Sequence, residues 1–268
     1  MMSSPRWLAV ALRPLALAAL VLGAVEAPAL ARLSVSPMVI EEAATQGQAQ
    51  AVITLSNTGQ TPERVRIYAM PFTYGRDGVE LGATSEQDLT PYLLFSPREL
   101  VIEPGQTRRV RLVSQLLPSL GEGEFRAVVF TEPLNATPTD TPGRMTIGVR
   151  PRIGVTVYVR QGQVLPSLDV LSATARPAEG RIALLVANAG DATARPITDW
   201  ALSREGTTVA SGRHNATTVI AGGDRNLMIA PATALTPGTY TLSGTLTWFV
   251  NGRQETLPFS IPVTFSAP

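Results

Sequence analysis

The residue types best suited to chemistry are few and scattered along this chain. Its single histidine, His214, stands in "SGRHNAT", a stretch that reads as a turn between strands. A histidine base needs a nucleophile within hydrogen-bond reach and a third group to orient it. There is no cysteine and no G-x-S-x-G elbow, so thiol chemistry and that serine geometry are out. Carboxylates pair at Glu41–Glu42 and at Glu122 and Glu124. Glycoside hydrolysis needs two carboxyls held across a cleft, which nothing in their setting indicates, and they read as solvated surface. The mildly acidic stretch from Asp77 to Asp88, with Glu80 and Glu86, lacks the spacing of a calcium loop. Phosphate-binding glycine loops and dinucleotide fingerprints are also missing. The expectation is a protein that is not an enzyme, needs no cofactor or metal, and acts by binding.

The most informative pattern is an alternation. In "MTIGVRPRIGVTVYVR", Met145, Ile147, Val149, Pro151, Ile153, Val155, Val157 and Val159 hold one parity, while Arg150, Arg152, Thr156, Tyr158 and Arg160 fall on the other. A period of two sends the sets to opposite faces of a strand. Sixteen residues would span about 50 Å at roughly 3.3 Å each, far beyond the usual strand of about 5–6 residues. From alternation alone the run still reads as an ordinary core strand. Pro151 has no amide hydrogen for a ladder, which suits an edge and not a central strand. Arg150 and Arg152 have two readings from pattern alone: contacts to a partner, or charges that keep an edge from pairing.

The elements around this run are short and β-rich. "RLSVSPMVI", "AQAVITLSN", "RVRIYAMPF", "ELVIE", "TRRVRLVS" and "EFRAVVFTE" are separated by turn residues, and Asp77–Gly78 marks a tight turn. After "RQGQVLPS" the rhythm restarts with "LDVLSAT", "RIALLVANAG", "RPITDWALS", "TTVASG", "ATTVI", "RNLMIA" and "TYTLSGTLTWFV"; the Asn251–Gly252 turn and "QETLPFSIPVTF" follow. This predicts an all-β protein of two antiparallel, immunoglobulin-like sandwiches. The expected domains are residues 32–160 and 167–268, with Gly162 and Pro166 marking the change. Residues 1–31 read as a cleavable signal peptide, with Arg6 and Arg13, an apolar run, and an A-x-A site at Ala29 and Ala31. A formal charge of +1 offers no basic footprint for nucleic acid.

"LLFSPRELVIEPGQTRRVRLV" resembles the periplasmic pilus-assembly chaperones, the PapD-like family, through Ser96–Pro97, the Glu103–Pro104–Gly105 turn and Val110–Arg111–Leu112. "AVITLSNTG", "EFRAVVFTEP", "TVYVR" and, further on, "RIALLVANAGDATARPITDWAL" are similar to that family's strands. The resemblance implies a periplasmic chaperone that lends an edge strand to an incomplete pilin-like subunit and holds it for assembly. It also implies that the alternating run divides near Pro151, with Ile153 to Val159 packing the protein's own core and Met145 to Pro151 projecting to another chain. An outer-membrane usher would be the second partner, and self-association another use of the same edge. Carried onto this chain, the subunit-binding residues are Met145, Ile147, Val149 and Pro151, with Arg150 and Arg152 between and beside them. Arg160 would pair with Glu124 to fix the angle between domains. The family's two carboxylate anchors, an arginine and a lysine, fall on Val39 and Thr156, and the chain has no lysine. Arg152 shares a face with Thr156, about 13 Å along the strand, and a guanidinium grips carboxylates bidentately. No small-molecule substrate is implied. The alternative class is an exported structural or adhesive sandwich that handles no subunits.

Overall fold

The computed structural model describes residues 33–134, 151–232 and 235–266. The expected signal peptide, and Met145, Ile147, Val149 and Arg150 of the alternating run, lie outside the described residues.

The first part of the chain forms two facing sheets. One has the order β1 (Leu33–Ser36), β3 (Gln48–Asn57), β9 (Thr107–Gln115), β7 (Leu93–Ser96). The other runs β2 (Val39–Ala43), β11 (Ile153–Gln161), β10 (Gly123–Pro133), β4 (Glu63–Met70), β8 (Glu99–Ile102). "RLSVSPMVI", expected as one run, is two strands in opposite sheets. It breaks at Pro37, which cannot donate to either ladder. Between the sheets pack Ile53, Leu55, Val110 and Leu112 from one layer and Ile67, Phe125, Val129, Val155, Val157 and Val159 from the other. A short hairpin, β5 (Phe72–Tyr74) with β6 (Val79–Leu81), stands apart from both sheets. The Glu103–Pro104–Gly105 segment is a turn with Gly105 at φ 70°, a conformation glycine adopts without penalty.

The second sandwich faces β12 (Leu168–Arg176), β13 (Arg181–Asn188) and β16 (Asp224–Ile229) against β15 (Thr207–His214), β14 (Ile197–Arg204), β17 (Gly238–Val250) and β18 (Arg253–Phe265). Ile182, Leu184, Leu202, Leu227, Ile229 and Leu242 form the centre of its core. "ATTVI", expected as a strand, is instead extended loop paired with residues 194–196, through the Val219–Ala194 bridge and a hydrogen bond from the Thr217 amide to the Pro196 carbonyl at 3.2 Å. Pro196 has no amide to return that bond, so the pairing stops short of a strand. His214 closes β15 instead of sitting in a turn, and its Nδ1 lies 2.8 Å from the Asn215 carbonyl. Among the described residues no helix is long and apolar enough to cross a membrane.

Among the described strands the pairing is antiparallel with one exception: β2 runs parallel to β11, with Val39 opposite Thr156 and Ala43 opposite Arg160. That exception positions the site.

Candidate functional site

β11 begins at Ile153, so Pro151 and Arg152 lie exposed just ahead of it. On one side β10 covers the whole strand, from Thr131 opposite Ile153 to Gly123 opposite Gln161. On the other side β2 covers only Thr156 to Arg160. The Thr156 amide donates to the Met38 carbonyl at 3.1 Å, and the Ala44 amide to the Arg160 carbonyl at 2.7 Å. Backbone groups alternate in direction along a strand, so the amide and carbonyl of Gly154 point to this same side, past the end of β2. No described strand lies beyond them. The first three residues of β11 therefore form an edge that opens toward Pro151. Its inward side chains are Ile153, partly buried, and Val155, fully buried.

Gly154 fits this edge for a packing reason. A Cβ there would stand 2.9 Å from both the Phe130 ring and Val128 Cγ2. Without one, Phe130 lies flat against the outer face of the sheet, stacked with Tyr68 at 5.5 Å between ring centroids. Two guanidinium groups extend the row: Arg66 lies over Tyr68 at 5.3 Å and Arg152 over Phe130 at 4.8 Å. Arg152 also donates to the Tyr68 hydroxyl at 3.4 Å, and Arg66 holds Glu132 at 2.6 Å. Arg152 is thus held on an aromatic platform beside the open edge. The corner formed by Met38, Val39 and Thr156 carries no charge, and Met38 and Val39 are both exposed.

At its other end β11 ties the two sandwiches together. Arg160 Nε donates to Glu124 Oε2 at 3.0 Å, and the two residues are directly opposite in register. The Glu124 carboxylate is fully buried. It also accepts the Thr193 amide at 3.1 Å and the Thr193 hydroxyl from the second sandwich. Glu41 on β2 pairs with Arg195 and lies 3.8 Å from Arg160. A second tie comes from the β5–β6 hairpin, whose Arg76 meets Asp224 at 2.7 Å. There the Asn226 amide donates to the Arg76 carbonyl at 2.9 Å, and Arg225 donates to the Gly75 carbonyl at 2.8 Å.

Sequence reasoning missed Arg126, Tyr158 and Arg195 as junction residues. Alternation puts Arg126 and Tyr158 on the outer face, which in an isolated sandwich is solvated. Here Phe72, Val128 and Phe130 cluster with Tyr158 on that face. Local pattern carries no signal for such cover, because it comes from segments distant in the chain.

No family model matches the chain, and no curated protein sequence matches it. Solved structures do. One is a chain of the chaperone–tip adhesin complex of CFA/I fimbriae biogenesis, with 10% identity, 86% of this chain and 99% of that chain covered, and a TM-score of 0.50. The YadV chaperone aligns at 12% identity over 85% of this chain and all of its own, with a TM-score of 0.49. A chain of the Salmonella enterica SafA pilin–SafB chaperone complex aligns at 11% identity over 89% and 99%, with a TM-score of 0.48. With its two immunoglobulin-like sandwiches, the chain has the two-domain fold of the pilus chaperones.

Proposed function

We propose that this protein is a periplasmic chaperone that binds an incomplete pilin-like subunit by adding a strand to it and holds it for assembly. The observation that supports this most directly is the half-covered strand β11. In the sequence, the residues that precede its open edge and Pro151 include Met145, Ile147 and Val149, a set of apolar residues of one parity. Strand addition uses main-chain hydrogen bonds for affinity and alternate side-chain pockets for specificity. An open edge followed by alternating apolar residues supplies both. Solved structures with this fold include a chaperone–tip adhesin complex and a pilin–chaperone complex, which supports a subunit of that kind as the partner. An outer-membrane usher would receive the loaded complex. The activity requires no bond cleavage and no cofactor.

In this reading the Glu124–Arg160–Thr193 tie holds the second sandwich at a set angle to the edge. The neutral corner at Val39 and Thr156 leaves Arg152 as the cation nearest the open edge in sequence. Its place on Phe130 fixes its direction.

The test is recovery of partners from periplasmic extract by the mature protein and by an Ile147→Asp, Val149→Asp variant. Each apolar side chain fully buried by a partner contributes about 1.5–3 kcal/mol. Losing two should weaken capture by about 100-fold or more while the thermal unfolding of the free chaperone stays unchanged. Equal recovery of the same partners by both proteins would refute strand donation.

A further inference from the structure

Five nitrogen or oxygen donors at the junction of the sandwiches are buried and unpaired: Arg126 Nε and Nη1, Tyr158 Oη, and Arg195 Nε and Nη2. They belong to one neighbourhood. Arg126 and Tyr158 are directly opposite each other on β10 and β11, on the same outward face. The Arg195 guanidinium carbon lies 4.7 Å from the centre of the Tyr158 ring. Arg126 is 3% exposed and Tyr158 0%, so bulk water does not satisfy these groups.

Their natural counter-charges are already engaged. Glu124 is taken by Arg160 and Thr193, and Glu41 by Arg195 Nη1 and Arg160. Asp88 lies beside Arg126 in the backbone pairing but turns its carboxylate to Thr90, at 2.7 and 2.8 Å. Arg126 makes one long contact, Nη2 to the Thr73 hydroxyl at 3.4 Å. The Thr156 hydroxyl has a weak hydrogen-bonding influence on the phenol of Tyr158, which burial outweighs. Among the described residues around Tyr158, three guanidinium groups, Arg126, Arg160 and Arg195, thus face two carboxylates already committed, Glu41 and Glu124. A buried charge without a partner is costly, and every unmatched group here is a donor.

We propose that Arg126, Tyr158 and Arg195 form a binding site for a small oxyanion, a carboxylate or a tetrahedral inorganic anion, at the junction of the sandwiches. Nε and Nη2 of Arg195 are the two donors on one edge of the guanidinium, the fork that fits two oxygens of such a ligand. Arg126 contributes the uncompensated charge. Burial raises the phenol of Tyr158 well above its usual range, so it keeps its proton and donates. Arg195 is the most exposed of the three, with 22% of its side chain open to solvent. A ligand in this site would touch β10, β11 and the β13–β14 loop together, and so favour the docked arrangement of the sandwiches. The site does not depend on whether the protein carries subunits.

Thermal unfolding of the mature protein, titrated separately with sulfate and acetate against chloride at constant ionic strength, tests this site. The expected result is a saturable rise in midpoint, about 5–10 °C at a hundredfold excess over Kd. Sulfate also stabilises proteins without binding, but linearly and without saturation. Arg126→Met should remove the saturable part, leave the linear part, and unfold at a higher temperature than wild type in chloride. Should that variant fail to fold, Arg195→Gln, read in the same titration, should lower the anion affinity at least tenfold. Saturation by sulfate identifies an inorganic ligand, and saturation by acetate alone a carboxylate. If neither anion saturates, or if the variants keep the wild-type saturation, the proposal is wrong.

Discussion

The two sandwiches treat their edges in opposite ways. β11 in the first has an uncovered stretch with Gly154 at its centre and no proline after Pro151. β18 in the second pairs with β17 along its whole length and contains Pro258 and Pro262, opposite Thr245 and Thr241. Proline has no donor for a ladder, so it belongs where the missing amide faces outward. Two prolines of one parity therefore remove two donors from the free side of β18. Exposed edges invite pairing with other chains, and prolines are a common way to block it. Among the described residues, one edge is thus blocked by proline and the other is left without a neighbouring strand.

Three substitutions probe the contrast, from the largest effect to the smallest. Glu124→Ala attacks the closed end of the strand that carries the open edge. Removing one partner of a buried charge pair costs about 3–5 kcal/mol, and Arg160 and Thr193 would both lose their acceptor. Urea unfolding should show that loss, with subunit capture falling because the edge loses its fixed relation to the second sandwich. An unchanged midpoint would mean the junction does not hold β11. Gly154→Ala inserts a methyl group 2.9 Å from Phe130 and Val128. Overpacking of this kind costs about 1–3 kcal/mol, and the displaced ring should release Arg152. Loss of Phe130–Arg152 contacts in side-chain NMR would show it, whereas unaltered spectra and stability would mean the glycine is incidental. Pro258→Thr with Pro262→Thr restores two donors to β18. Stability should fall by only about 0.4–1 kcal/mol per site, through the unfolded chain. The telling readout is sedimentation: the variant should associate at a lower concentration than wild type. A variant that associates no more than wild type would show that the prolines are not what protects the second edge.

Several of these features are legible from the chain alone. Alternation placed Val155, Val157 and Val159 in the core, because burial on one face imposes a period of two. Arg160 and Glu124 come together in the structure; pairing them depended on likeness to a known pattern, since nothing local links residues so distant in the chain. Three features were beyond local pattern. "ATTVI" has strand composition, but its neighbour carries Pro196, which cannot return the Thr217 hydrogen bond. The split of "RLSVSPMVI" between two sheets follows from where each half finds partners. Arg126 sits where alternation predicts, on the outer face, but that face is buried at the junction. A charged residue in an outward position reads as solvated until the fold brings up a cover.

The parallel pairing of β2 with β11 also has a mechanical consequence. A subunit attached ahead of Ile153 would pull along the axis of β11. β10 grips that strand from Ile153 to Gln161 and β2 grips it from Thr156 to Arg160. Both ladders lie along the line of force, so the load is shared as shear across many hydrogen bonds at once instead of opening them one by one. If β11 carries a client, it is thus anchored in the direction from which the client would tug.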